Sequence, residues 1–370
     1  MRIDRVEVYH VRMPLTYPWR TAYGEDAEIH SILVKMVAGD FYGWGETSPL
    51  NAPTYSPEWA SGVFSLIRDF FAPILVGKDI GSAEELLGLL DCFKGNYFAK
   101  AGLETAWWIL YSKSLGKPLH KLIGGRSEPV SVGADFGVQD SIEILLEKIE
   151  AAIDAGFPRV KLKFRRGWDV NMLEAVRDHF PDFPFHIDCN AAFTLKDIEI
   201  FRKVDRFELE MIEQPLCHWD LLDHAKLQKL ISTPICLDES ITCPKAAEQA
   251  IELGSCRYVN LKVGRVGGIW NAKVIHDMCM DAGIPCWVGG MLESSVGQGL
   301  SIELATLPNI KYPSDIFASK TYYVEDLGSP EIVYCDRGKV DVSKVPGTPY
   351  EPRPDLLKKM TVESAIIGDI

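Results

Sequence analysis

A (β/α)-barrel of the TIM type carrying an α+β N-terminal capping domain is the α/β fold that this sequence predicts. Three observations lead there. Up to about residue 125 the chain alternates apolar and polar residues and then turns helical. Beyond it, eight short apolar, β-branched runs are separated by longer amphipathic segments. Charged residues close five of those runs at intervals of 25, 25, 25 and 24 residues. A chain of 370 residues is long enough for a barrel of about 250 residues and a smaller unit.

The alternating stretches Arg2–Leu15 and Ile29–Val37, the latter turning at Ala38-Gly39-Asp40 into Phe41–Glu46, predict a small antiparallel sheet. Helical periodicity follows over Pro57–Phe71, Ala83–Cys92 and Ala99–Ser114, where Leu103, Trp107, Leu110 and Tyr111 share a face. The clusters Gly116-Lys117-Pro118 and Gly124-Gly125-Arg126 break the chain and set a boundary near residue 125. The eight runs are Val130–Phe136, Arg159–Phe164, Pro184–Asp188, Leu209–Glu213, Pro234–Asp238, Arg257–Lys262, Pro285–Val288 and Ile310–Tyr312. Short continuous apolar strands between helices imply parallel βα units covered on both faces, and eight of them imply closure into a barrel. The expected division is a capping domain over 1–125, joined by 321–370, and a barrel over 126–320. In the tail, Glu331–Cys335 and Lys339–Val342 read as a hairpin folding back on the capping domain.

With 47% hydrophobic and 25% charged residues the composition is that of a globular chain. A net charge of -13 disfavours nucleic acid and anionic membranes, both of which need clustered Lys and Arg. Met1–Arg12 has no continuous apolar core of a signal peptide and no later run approaches a membrane span, so a cytoplasmic location is expected. Nine scattered cysteines without a C-x-x-C pair read as reduced, mostly buried small hydrophobes.

Chemistry is concentrated in Lys163, Asp188, Glu213, Asp238 and Lys262, which the interval places at one height on five successive strands, converging on the barrel mouth. An exposed strand-end charge is the bland account of any one of them. Three adjacent carboxylates repel unless a cation sits between them, and a hard divalent ion such as Mg²⁺, or Mn²⁺, meets that need with oxygen ligands. Lys161 and Lys163, two apart on one strand, both face inward; a lysine beside a metal and a second lysine is expected to have a lowered pKa and to act as a base. The cation would hold a substrate carboxylate while the α-proton leaves. Three features read more plainly. Gly264–Gly268 is a tight strand-to-helix turn rather than a phosphate loop, His186 is a satisfied interior histidine rather than a fourth ligand, and Trp19, Tyr23 and Tyr55 are equally lid aromatics or anchors.

Gly43-Trp44-Gly45-Glu46, Gly124-Gly125, Lys161-Leu162-Lys163, Asp188-Cys189-Asn190, Ile212-Glu213-Gln214-Pro215, Asp238-Glu239-Ser240 and Asn260-Leu261-Lys262 together resemble the motifs of the enolase superfamily, muconate-lactonising subgroup. Within it, Pro53–Glu58, Arg265 and Gly289–Ser294 resemble the o-succinylbenzoate synthases, in the branch that also holds N-succinylamino acid racemases. The resemblance implies Asp188, Glu213 and Asp238 as metal ligands and Lys163 and Lys262 as the catalytic pair. It implies Lys161, Asn190, Glu239, Arg265, Met291, Ser294 and Tyr55 as contacts to the substrate or the metal surroundings. The implied reaction is loss of water from 2-succinyl-6-hydroxy-2,4-cyclohexadiene-1-carboxylate, a step of menaquinone synthesis, with Lys163 as base and Lys262 stabilising the enediolate. One departure stands out: Asp135 lies where relatives often carry a small hydroxyl, and a carboxylate pointing at the ligand there would disfavour an anionic succinyl group, the plainer account being that it faces a basic neighbour or solvent.

Racemisation of N-acylamino acids, which uses one lysine per face, is the alternative, and a barrel kept only as a scaffold is a further one. A dipeptide epimerase would show an Asp-x-Asp pair where only Asp315 stands, and a sugar-acid dehydratase would want a His at Lys262. The expected partner is a small-molecule carboxylate, with homo-oligomerisation left open.

Overall fold

The computed structural model describes residues 1–369. Its first layer is a four-stranded antiparallel sheet in which β1 (Arg5–Arg20) lies between β2 (Glu25–Ala38) and the C-terminal strand Thr361–Gly368, with β3 (Phe41–Thr47) outside β2. Val6, Val8, Val11 and Met13 of β1 and Ile32, Leu33, Val34 and Met36 of β2 supply the buried surface. The sheet packs on helix Tyr97–Ser114. Contact is so close that a Cβ at Gly45 would come 2.4 Å from Thr105 Oγ1 and 2.5 Å from Ala106 N, which explains the glycine in β3. The helix begins two residues earlier than its periodicity predicts because Glu58 accepts the amides of Phe98 and Ala99 at 3.0 and 3.1 Å, capping its first turn. The helix expected over Pro57–Phe71 starts at Ala60, widens into a π turn at Ile67–Phe71 and runs on to Leu75.

In the second layer β5 (Ala134–Phe136), β6 (Val160–Lys163), β7 (Phe185–Asp188), β8 (Ile212–Glu213), β9 (Ile235–Leu237), β10 (Tyr258–Leu261) and β11 (Cys286–Val288) form a seven-stranded parallel sheet in sequential order. Their side chains are almost wholly buried, as expected of strands covered on both faces. The eighth run is not a strand of the ladder. Instead, Lys311 N and Asp315 N donate to Cys286 O and Val288 O at 2.9 and 2.8 Å, and Gly133 N donates to Ser314 O at 3.0 Å, closing the barrel through single bridges. Pro313, lacking an N–H, interrupts any longer ladder. The first run also divides: β4 (Val130–Ser131) leaves the barrel to pair antiparallel with Lys339–Val340.

That pairing corrects the reading of the tail. Lys339–Val340 joins β4 and not the capping sheet, and Glu331–Cys335 is not a strand. The segment that does return to the cap is Thr361–Gly368, which lies on the edge of β1 from Arg5 to Val11.

Two buried carboxylates of the cap join it to barrel helices. Glu104 accepts from Ile269 N at 2.8 Å, Trp270 N at 2.7 Å and the Trp108 indole at 2.7 Å. Glu46 accepts from Ser294 N at 3.0 Å, Gly297 N at 2.9 Å and Ser31 Oγ at 2.8 Å. They satisfy the free N–H groups opening helices Ile269–Asp281 and Ser295–Leu304. Gly268, at φ 117°, fits because any Cβ would lie 2.2 Å from Glu104 Oε2. Among the described residues no helix is long and apolar enough to cross a membrane, and all nine cysteines are free.

Candidate active site

The strand register sets the height of each ionisable group. Lys163 is opposite Asp188, Asp188 opposite Glu213 and Glu213 opposite Cys236, so Asp238 and Lys262 follow just past the ends of β9 and β10. All five side chains are buried at the mouth. Lys163 Nζ donates to Asp188 Oδ2 at 2.6 Å. Lys161 Nζ lies 3.2 Å from Asp188, 3.0 Å from Glu213, 3.1 Å from Asp315 and 3.8 Å from Asp135. Lys262 Nζ sits 3.0 Å from Asp238 Oδ2, 3.6 Å from Met291 Sδ and 4.6 Å from the centre of the Tyr55 ring. β6 and β10 are four strand steps apart, β6 to β7 to β8 to β9 to β10, which is half of an eight-membered circuit. Lys163 and Lys262 therefore face one another across the carboxylates.

The remaining expected residues divide. Asn190 donates to Asp188 at 3.2 Å from its side chain and 2.9 Å from its backbone N–H, and its side chain reaches Glu239 at 3.5 Å. Arg265 binds Asp238 Oδ1 directly and donates to Tyr55 OH at 3.1 Å, while Tyr55 OH donates to the same Asp238 oxygen at 3.0 Å. The loop before helix Ala60–Leu66 thus reaches the site through Tyr55. Trp19 and Tyr23 also line the cleft. Ser294 does not join them: it is engaged with Glu46 at a helix start, so its expected substrate contact is corrected to a role in docking the cap. His186 is half satisfied, with Nδ1 3.0 Å from Tyr312 OH and Nε2 unpartnered, 3.7 Å from Glu213.

Three participants were given no site role from the sequence. Arg159 binds the carboxylate of Asp315, which also accepts from Lys161, and Asn260 donates to Glu213 at 2.7 Å. The signal was in the sequence: Arg159 continues the inward alternation of Lys161 and Lys163, and Asn260 shares the face of Lys262. Asp135, the departure, faces the basic neighbour Lys161 and also lines the cleft. Asn190, Gln214 and Leu292, at φ 43°, 36° and 55°, hold left-handed backbone beside the site, the kind of strain that gathers at functional rims.

Without a cation the carboxylates dominate the electrostatics of the lysines. Burial, the largest single influence, favours neutral Lys163, but Asp188, Asp135 and Glu213 together outweigh it and the pKa is raised. In Lys161, too, burial is overcome by Asp315, Glu213 and Asp188. Burial would push Asp188 up, yet Lys163 and Lys161 hold it well below the usual carboxylate range. Glu239 moves oppositely, to about 7, through burial and the nearby charge of Asp188. Among the described residues no three acidic, His or Cys side chains are drawn into a formed metal cage, since lysines and Arg265 stand between them. Glu213 Oε2 and Asp238 Oδ2, each 3.0 Å from a lysine nitrogen, are buried without a directed hydrogen bond.

Comparison with known proteins matches residues 3–124 to the mandelate racemase / muconate lactonizing enzyme N-terminal domain and residues 145–356 to the enolase C-terminal domain-like family. The chain is 42% identical over 352 residues to an o-succinylbenzoate synthase of Geobacillus kaustophilus, covering 95% of this chain and 94% of that one. It is 39% identical over 327 residues to an N-succinylamino acid racemase of Thermus thermophilus, covering 88% and 89%. A solved structure of an enolase superfamily member from Listeria innocua superposes with a TM-score of 0.95 at 35% identity, covering 99% of both chains.

Proposed function

We propose that this chain, which belongs to the enolase superfamily, removes the proton α to a substrate carboxylate, with o-succinylbenzoate synthesis as its reaction. The observation that carries the reading is the opposition of Lys163 and Lys262 across three buried carboxylates. The donor set fits a hard divalent cation, Mg²⁺ or Mn²⁺: it is all oxygen, comes from three adjacent strands, and includes two buried oxygens without a directed hydrogen bond. When bound by Asp188, Glu213 and Asp238, the cation supplies Lewis acidity toward the substrate carboxylate and takes up carboxylate charge that otherwise keeps the lysines protonated.

The residues then divide the work. Lys163 Nζ takes the α-proton, the C–H electron pair forms the new double bond, and the C–OH bond on the same face breaks. The proton on Lys163 leaves with the hydroxyl as water, so 2-succinylbenzoate is formed with no oxidant or co-substrate. Lys262, kept charged, stabilises the negative charge growing on the carboxylate from the other face. Asn190, Glu239 and Arg265 orient the ligand carboxylates through the contacts above. Tyr55 covers the site and excludes water.

Racemisation of N-succinylamino acids is the second reading, favoured by the same opposition of lysines, since one on each face can remove or return the proton of either enantiomer. Incubating the protein and Mg²⁺ with the cyclohexadiene carboxylate and, separately, with single enantiomers of N-succinylamino acids tests both; no turnover of either class would sink the proposal. A place in menaquinone synthesis, a cytoplasmic location, compatibility with homo-oligomers, and a division into a cap of 1–125 with 321–370 and a barrel of 126–320 belong to the same reading.

A further inference from the structure

One layer below the carboxylates the barrel interior holds a histidine that proton transfer leaves without a task. His186 and Asp188 are two apart on β7, so they share its inward face, and the register sets His186 opposite Lys161. The ring is fully buried and makes edge contacts with Trp287 and Tyr312, each at 5.4 Å between ring centres. Two such contacts on neighbouring walls fix its plane. Nδ1 lies 3.0 Å from Tyr312 OH, and Nε2 lies 3.7 Å from Glu213 Oε2. Nε2 and Oε2 are both buried without a hydrogen-bond partner. Leaving two such atoms unjoined in a dry interior is costly, and a side-chain rotation is enough to close the gap.

Glu213 needs that partner. Asn260 donates to Oε1 at 2.7 Å, while the cation beside Oε2 is Lys161, 3.0 Å away. Lys161 has three hydrogens and serves four carboxylates, Glu213, Asp315, Asp188 and Asp135. It cannot satisfy them all. Tyr312 decides how the imidazole serves. Burial, with Arg159 and Lys161 nearby, keeps the ring neutral, so one nitrogen alone carries the hydrogen. A bare Nε2 would set its lone pair against the Glu213 carboxylate, whereas a bare Nδ1 can accept from Tyr312 OH. The hydrogen therefore belongs on Nε2.

We propose that His186 is a positioning residue for the cation: with Tyr312 donating to Nδ1, its Nε2–H holds Oε2 of Glu213 and orients that carboxylate as a metal ligand. The inference rests on the reading of Glu213 as a metal ligand. It gives His186 and Tyr312 a part in cation binding although neither touches the cation or the substrate. Partners of this kind, one step out from the ligands, change metal affinity by about 10–100-fold.

Two measurements on the whole protein test it. With isotopically labelled histidine, long-range proton–nitrogen NMR spectra of the wild type should show the Nε2–H tautomer for His186, whose signals are identified by their loss in His186→Gln. Mn²⁺ affinity, followed by the electron paramagnetic resonance of the free ion, should fall by at least about tenfold in His186→Phe, which keeps a ring in the same space. In His186→Gln, whose amide N–H reaches the place of Nε2, affinity should stay within about threefold of the wild type. Tyr312→Phe should weaken Mn²⁺ binding by about threefold or more in the wild type and add nothing in His186→Phe, because it acts through the imidazole. An Nδ1–H tautomer, equal losses in His186→Phe and His186→Gln, or a Tyr312→Phe effect that persists in His186→Phe would overturn the proposal. Failure of the wild type to bind Mn²⁺ would bring down the metal-ligand reading itself, whereas wild-type binding that His186→Phe leaves unmoved would bring down this inference alone.

Discussion

If Lys163 and Lys262 serve opposite faces of one substrate, removing either should disable one enantiomer and spare the other. The perturbation is Lys163→Ala, and its mirror Lys262→Ala. Each lysine has a carboxylate partner, Asp188 at 2.6 Å for Lys163 and Asp238 at 3.0 Å for Lys262. Leaving a buried charge without its partner costs about 3–5 kcal/mol when nothing else compensates. Here compensation remains, because Lys161 stays 3.2 Å from Asp188 and Arg265 stays bound to Asp238, so both variants should fold with a smaller loss. Loss of a general base lowers the rate by about 10²–10⁴-fold, roughly 3–5 kcal/mol on that path alone. The assay is proton NMR of α-hydrogen exchange in D₂O for each enantiomer of an N-succinylamino acid. Retained exchange of one enantiomer serves as the internal control that fold and metal site are intact. Loss of exchange for both enantiomers by the same factor in folded protein, or for neither, would refute the opposed-face geometry. For dehydration both variants should fall by at least about 10²-fold, one for want of the base and the other for want of charge stabilisation.

Three other outcomes are expected. Exhaustive chelation should abolish turnover and Mg²⁺ should restore it, while Glu213→Gln should weaken metal affinity at least about tenfold; turnover that survives chelation would end the metal reading. Tyr55→Ala removes the hydroxyl between Arg265 and Asp238 and the ring below Lys262, so kcat should fall by about tenfold or more, whereas unchanged kcat and KM would take the loop out of the mechanism. Burial raises Glu104 from 4.5 to about 7 despite its three hydrogen bonds. An acid whose folded pKa lies above its unfolded one stabilises the fold in full below pH 4.5, and that contribution is lost as pH rises through about 7. The loss amounts to about 3 kcal/mol at 1.36 kcal/mol per pH unit. Urea unfolding of Glu104→Gln between these pH values should therefore show a flatter decline than the wild type, and identical slopes would contradict the assignment.

The barrel and its charged mouth were legible because both follow from short-range periodicity. A βα unit has a nearly fixed length, so Lys163, Asp188, Glu213, Asp238 and Lys262 recur at that length, and the two-residue alternation of strands points Lys161 inward beside Lys163. The same alternation reaches Arg159 and Asn260, which could have been read by extending it one step. What the sequence could not determine depends on partners far away along the chain. Thr361–Gly368 becomes a capping strand only because the edge of β1 is free, and Lys339–Val340 leaves the cap because β4 offers an open edge instead. Nothing local tells Glu46 and Glu104 that they will meet the starts of helices near residues 295 and 269, or tells Ser294 that its hydroxyl will meet Glu46 and not substrate. The sign of the lysine shifts without a cation was likewise tertiary: burial and mutual repulsion argue for lowered values, and only the approach of Asp188, at 2.6 Å, with Asp135 and Glu213 nearby, makes attraction win. Periodicity decides which face a side chain takes, because backbone geometry repeats; which group it meets there is decided by packing between segments hundreds of residues apart.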